Sequence, residues 1–263
     1  MTIASTPSPA RARITAITSG KGGVGKTFVA ANLAAALAAR GERVLVLDAD
    51  LGLANLDVVL NLAPKVTLHD VFTGANALDE ALIEVSPGFS VLLAGSGLVE
   101  YSRLTPEVRD KLDQTLAAVA PRFDRVLLDT GAGISDVVLY TVSLADEVMI
   151  VTTPEPPALT DAYATIKVLS ASQGRRSSGL VVNQKLPGSD ARSVRAQLQL
   201  VIDRFVSPSL DSPLTLELWG EVPIDNAVRD AVRQRQLLIE AYPGSPAAQG
   251  VLALAARLAP ERG

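Results

Sequence analysis

Residues 17–27 read ITSGKGGVGKT, with a strand-length apolar run before the glycines and the alanine-rich segment FVAANLAAALAA after them. A glycine-rich turn in that setting dictates strand, loop and helix in order, and residues 20–27 fit the spacing G-x-x-x-x-G-K-[ST]. The glycines let successive backbone N–H groups turn toward phosphate oxygens, and the helix start adds the positive end of its dipole. Gly20, Lys21, Gly22, Gly23, Val24, Gly25, Lys26 and Thr27 are therefore candidate nucleotide ligands. In this reading Lys26 spans the β- and γ-phosphates and the Thr27 hydroxyl ligates Mg²⁺. Lys21 is a second lysine that the spacing does not require.

Short runs rich in Val, Ile and Leu recur at 14–18, 44–47, 91–93, 126–128, 148–151, 180–182 and 216–222, and they suit strands buried on both faces. Helical patterns separate them: one from Val29 to a stop at Gly41, then 161–170, 191–205, 226–239 and 247–258. Strand and helix in alternation predict an α/β fold, a single domain whose mostly parallel sheet of about seven to eight strands carries helices on both faces. Residues 1–12, rich in Pro, Ser and Thr, read as a disordered arm, and residues 13–263 as the domain.

Of the 263 residues 48% are hydrophobic, enough for a large core. The longest nearly apolar run, 28–39, is interrupted by Asn32 and is too short to cross a bilayer. No secretory signal is visible, so a cytoplasmic location is expected. Without cysteine, thiolate metal sites and iron–sulfur clusters are excluded for this sequence. A net charge of −4 argues against a broad DNA-backbone footprint.

Two acidic segments follow predicted strands. Asp48 and Asp50 open DADLGLANLD, and Asp129 opens DTGAG, at the strand ends where parallel sheets bind ligands. A carboxylate there can orient a water for attack on a γ-phosphate. Gly131 and Gly133 would let the second loop shift with the state of the nucleotide.

The loop KGGVGKT resembles the deviant phosphate loop of the MinD and ParA family of P-loop ATPases. The stretches DADLGLANLDVVLNLAPKVTLHDVFTG, DTGAGISD, TTPEPPALTDAYATIKVL and VPIDNAVRDAVRQRQLLIEAYPGSPAA resemble its FlhG/FleN subgroup. The resemblance implies ATP and Mg²⁺ as ligands and an ATP-dependent homodimer in which Lys21 reaches the partner's nucleotide. It further implies that Asp50 positions the attacking water, that Asp48 supports the metal site and that Asp129 holds Mg²⁺ through water. Asn183 and, in VPID, Pro223 and Asp225 lie where relatives clasp adenine, although ordinary turn chemistry accounts for each equally well.

Regulation of flagellar number and placement is the function the resemblance implies, with an FlhF-type GTPase and a flagellar transcription activator as partners. The short arm leaves stimulation of that GTPase unsupported. The ending VLALAARLAPERG has few basic residues, so it reads as a helix packed on the sheet, and any association with the inner face of the membrane is expected to be weak. MinD-type selection of the division site and ParA-type DNA segregation stand as alternatives, the latter opposed by the acidic charge. His69 has no metal-ligand neighbours in sequence, and Glu155 and Asp161 fit either a dimer face or a helix cap.

Overall fold

The computed structural model describes residues 11–51, 55–95 and 103–259. Eight strands form one sheet: β1 (Arg13–Ser19), β2 (Val44–Ala49), β3 (Leu82–Ser86), β4 (Phe89–Leu92), β5 (Arg125–Ala132), β6 (Glu147–Thr152), β7 (Ser177–Lys185) and β8 (Thr215–Pro223). Their order across the sheet is β3-β4-β2-β5-β1-β6-β7-β8. Every neighbouring pair is parallel except β3 with β4. From β1 the chain runs to β2 and the edge pair β3 and β4, returns to insert β5 between β2 and β1, and then lays β6, β7 and β8 on the other side, so strand order reverses beside β1 and leaves a crevice at the strands' carboxyl ends.

Between the strands lie α1 (Lys26–Ala38), α2 (Leu56–Val59), α3 (Leu68–Phe72), α4 (Leu78–Ala81), α5 (Pro106–Val119), α6 (Asp136–Ser143), α7 (Pro156–Gln173) and α8 (Ala191–Phe205), and after β8 come α9 (Asn226–Gln234), α10 (Leu238–Ala241) and α11 (Pro246–Leu258). The two-residue period of a strand sorts the core into two halves. Leu45, Leu47, Val126 and Leu128 face the half that holds residues of α5, α6, α7 and α8. Val44, Val46 and Leu127 face the half that holds α1 and α11. Helix α1 is buried almost all round, which accounts for its alanines: small side chains let it sit between the sheet and α11.

Local chemistry sets the element ends. Helix α7 begins at Pro156, five residues before the expected 161, because a proline at the first helical position needs no N–H partner. The helix expected over 226–239 is two pieces, α9 and α10, broken where Arg235 takes φ +53 and Leu237 is extended. Gly41, expected as the cap of α1, lies beyond Ala39 with φ +88 and closes the turn that follows. Strand β3 was not anticipated; it pairs antiparallel with β4 across Pro87 and Gly88 as the sheet's edge. Most of the expected arm lies outside the described residues. Its last two residues are held to the domain, with Ala12 buried and Arg11 3.8 Å from Asp146.

Candidate nucleotide site

The phosphate loop joins β1 to α1 at the carboxyl edge of the sheet. Gly25, with φ +94, is the N-cap residue of α1 and supplies no side-chain cap, so the first N–H groups of the helix stay available to a ligand. The loop is held tightly from outside. A Cβ on Gly20 would overlap the backbone carbonyl of Asp161 in α7, and one on Gly25 would overlap the Asn183 amide nitrogen. Ser19 Oγ donates to the Lys21 carbonyl at 2.7 Å.

Lys26 is buried, and burial lowers its pKa while the carboxylates of Asp129 and Asp50 pull it back up. Asp129 sits on β5 directly beside Asp48 of β2 in the parallel register. Burial raises the Asp129 pKa to about 6, against the pull of a hydrogen bond from the Thr27 side chain and the charge of Lys26. Burial also raises Asp48 well above the usual carboxylate range, and the neighbouring Asp129 adds to it. One Asp48 oxygen accepts from the Asp50 N–H at 3.1 Å and so fixes the turn after β2. The Asp50 carboxylate lies against Gly131, where a Cβ would come within 3.3 Å of its Oδ1. The motif residues Lys26, Thr27, Asp48, Asp50 and Asp129, from three strands' ends, therefore meet in one place.

These residues fit a divalent cation bound together with phosphate. Asp48 Oδ2 and Asp129 Oδ1 are buried without hydrogen-bond partners, and the Thr27 hydroxyl is beside Asp129. Among the described residues no group of three His, Cys, Asp or Glu is placed to cage a metal unaided. Mg²⁺ suits such a site, since it takes one or two protein ligands and fills its octahedron with phosphate oxygens and water.

The outlying candidates divide. Lys21 is partly exposed at the loop surface, its Nζ 3.6 Å from the Glu155 carboxylate at the start of α7. Asn183, at the end of β7, donates from Nδ2 to the Val24 carbonyl at 2.8 Å. Pro223 pairs in register with Lys185 close by. Asp225 shows the turn chemistry that was the alternative to a base contact. Its Oδ1 accepts from Ala227 N–H at 2.9 Å and its Oδ2 from Ala247 N–H at 3.1 Å, so one carboxylate caps α9 and the first turn of α11. Ser19, which ends β1 just before GKGG, anchors the loop although the motif spacing does not include it. Gln184 beside Asn183 takes φ +52, for which the sequence carries no signal.

The profile of the ParA family, described as NUBPL iron-transfer P-loop NTPase, matches residues 11–259. The chain belongs to this family of P-loop NTPases. Antiactivator FleN of Pseudomonas aeruginosa is 39% identical over 246 residues, covering 94% of this chain and 86% of the relative. The flagellum site-determining protein YlxH of Helicobacter pylori is 33% identical, covering 90% and 78%. Among solved structures, the septum site-determining protein MinD of Pyrococcus horikoshii, complexed with Mg-ADP, superposes with a TM-score of 0.74 at 28% identity over 96% of this chain and 98% of that one.

In this ParA-family chain the absence of cysteine removes any thiolate-held cluster. A cavity of about 990 Å³ lies at the opposite, amino end of the sheet. Of its lining charges Arg13 pairs with Glu147 and Arg257 with Glu217, while Arg175 and Arg176 donate to main-chain carbonyls of Val142 and Ser170; its place at the other end of the sheet separates it from the phosphate chemistry. Among the described residues no helix is long and apolar enough to cross a membrane.

Proposed function

We propose that this chain is a Mg²⁺-dependent ATPase that works as a dimerisation switch and regulates the number and placement of flagella. The observation that carries the reading is the relation to antiactivator FleN, which spans 94% of the chain and so extends far beyond the phosphate loop. Backbone N–H groups of residues 21–27 and the Lys26 ammonium hold the triphosphate. Thr27 and Asp129 would hold Mg²⁺ with Asp48 supporting them, and Asp50 would orient the attacking water. When bound, the cation offsets charge on the β- and γ-phosphate oxygens. Lys21, partly exposed and engaged only loosely by Glu155, reaches into the nucleotide site of a second copy. Closure of the dimer then presents a surface to partners, of which an FlhF-type GTPase and a flagellar transcription activator are the ones proposed. A net charge of −4 gives no support to a role on DNA.

Deleting the gene in its source organism, with complementation by the parent and by Asp50→Ala, tests the function. The expected result is an altered number or position of flagella with division unaffected, restored by the parent only. Misplaced septa or minicells with normal flagellation would instead assign the chain to division-site selection.

A further inference from the structure

We propose that Asn183 is a positioning residue for the phosphate loop, acting through the Val24 carbonyl, so that the end of β7 sets the loop's shape before a nucleotide arrives. The inference rests on the nucleotide-site reading and goes beyond any contact with the base. Strand β7 is separated from β1 by β6 in the sheet, so the loop after β1 must lean across the end of β6 to meet it. It does so at Val24, which is 3% exposed and packed in the same half of the core as α1. Asn183 is 5% exposed, and its Nδ2 donates to the Val24 carbonyl at 2.8 Å. Its Oδ1 accepts from the Gln184 N–H at 2.9 Å.

That second bond orients the first. With Oδ1 held by an N–H, the amide can present only its NH₂ to the loop, and a carbonyl is what it meets. Gln184 adopts φ +52, a left-handed conformation uncommon for a residue with a side chain. A strained residue beside a ligand loop, with its N–H used to fix a neighbour's amide, points to a geometry retained for function. Gly25 completes the clamp, since any side chain there would overlap the Asn183 amide. A nucleoside base needs none of these contacts, whereas the phosphate cradle depends on where Val24 and Gly25 lie.

The test uses a ligand without a base. Binding of Mg-ATP and of Mg-tripolyphosphate is measured for the parent, Asn183→Ala and Asn183→Asp, together with amide hydrogen exchange of residues 20–27 in the ligand-free proteins. Both variants remove the donor to Val24, and Asn183→Asp keeps the acceptor for Gln184, so it serves if the alanine variant folds poorly. The expected result is a loss of about tenfold for both ligands alike, with faster exchange in the loop and unchanged exchange in β1 and β5. Weaker ATP binding with parental tripolyphosphate affinity and parental loop exchange would make Asn183 a base contact only and overturn the inference. A parent that binds neither ligand would overturn the reading of the site instead, and loop exchange alone would then decide the clamp.

Discussion

Lys26 and Lys21 share a loop but stand in different surroundings, one buried between carboxylates and the other at the surface beside Glu155. Lys26→Ala removes the charge that offsets the phosphates, and ATP affinity is expected to fall roughly a hundredfold or more. Titration with a fluorescent ATP analogue checks this, and affinity within a few-fold of the parent would mean that the loop is not the site. Asp129 gives a pH signature. Its carboxyl keeps a proton in the folded protein up to a pH of about 6, whereas the unfolded chain loses it near 3.8. Between those values the folded state binds more protons, so this group's contribution to stability declines as pH rises through the window. In ligand-free, Mg²⁺-free protein, Asp129→Asn should therefore raise stability at pH 7 by about 1–3 kcal/mol, and the gain should vanish below the unfolded pKa. Urea denaturation at several pH values reads it; a gain that persists at pH 3 would contradict the assignment. At this scale the convergence of Lys26, Thr27, Asp48, Asp50 and Asp129 was legible in the sequence, because each sits at a fixed offset from a glycine turn or a strand end. Asp225 was not, since an aspartate before a helix looks the same whether it meets a ligand or caps the helix.

Elements were legible where one periodicity ran unbroken, as in α8, whose expected span of 191–205 matches Ala191–Phe205. They were not where a backbone detail decided the outcome. Nothing in AVRDAVRQRQLLIEA announces that Arg235 turns left-handed, yet that single φ divides α9 from α10. Glycine adopts that conformation without the Cβ clash, so Arg235→Gly should leave activity intact and stabilise the fold by about 0.5–1 kcal/mol. Strand β3 escaped notice because it is short and at the edge, half-buried rather than continuously apolar, although Pro87-Gly88 between two apolar runs was its turn signal. Capping carries a second expectation. Asp225→Ala strips acceptors from the starts of two helices at once and should cost about 1–3 kcal/mol, visible as a lower thermal midpoint with ATP affinity close to that of the parent. A loss of ATP affinity with unchanged stability would return Asp225 to the base site.

Across the whole molecule, the order of apolar runs was enough to predict a mostly parallel sheet with helices on both faces, because burial of strands on two sides leaves few other arrangements. The two ends of that sheet are chemically unlike: the carboxyl edge carries the phosphate loop and the buried carboxylates, and the amino edge carries exposed ion pairs. The dimer prediction belongs to the first end. Lys21→Ala should keep ATP binding in the monomer, since Lys26 and the backbone cradle remain, yet lose ATP-dependent dimerisation and turnover together. Asp50→Ala should do the reverse, accumulating an ATP-bound dimer that hydrolyses poorly. Size-exclusion chromatography with light scattering, run beside a turnover assay, separates the two; an ATP-bound Asp50→Ala protein that stays monomeric would exclude the switch. Away from that face, the single tryptophan of the chain, Trp219, lies on edge strand β8 with its ring against Gly179, where any Cβ would overlap it. The molecule thus carries its own lamp, fixed at the far margin of the sheet. Its emission should stay dark to nucleotide and change colour when β8 peels from β7, so ultraviolet light alone can time the opening of that margin without a dye.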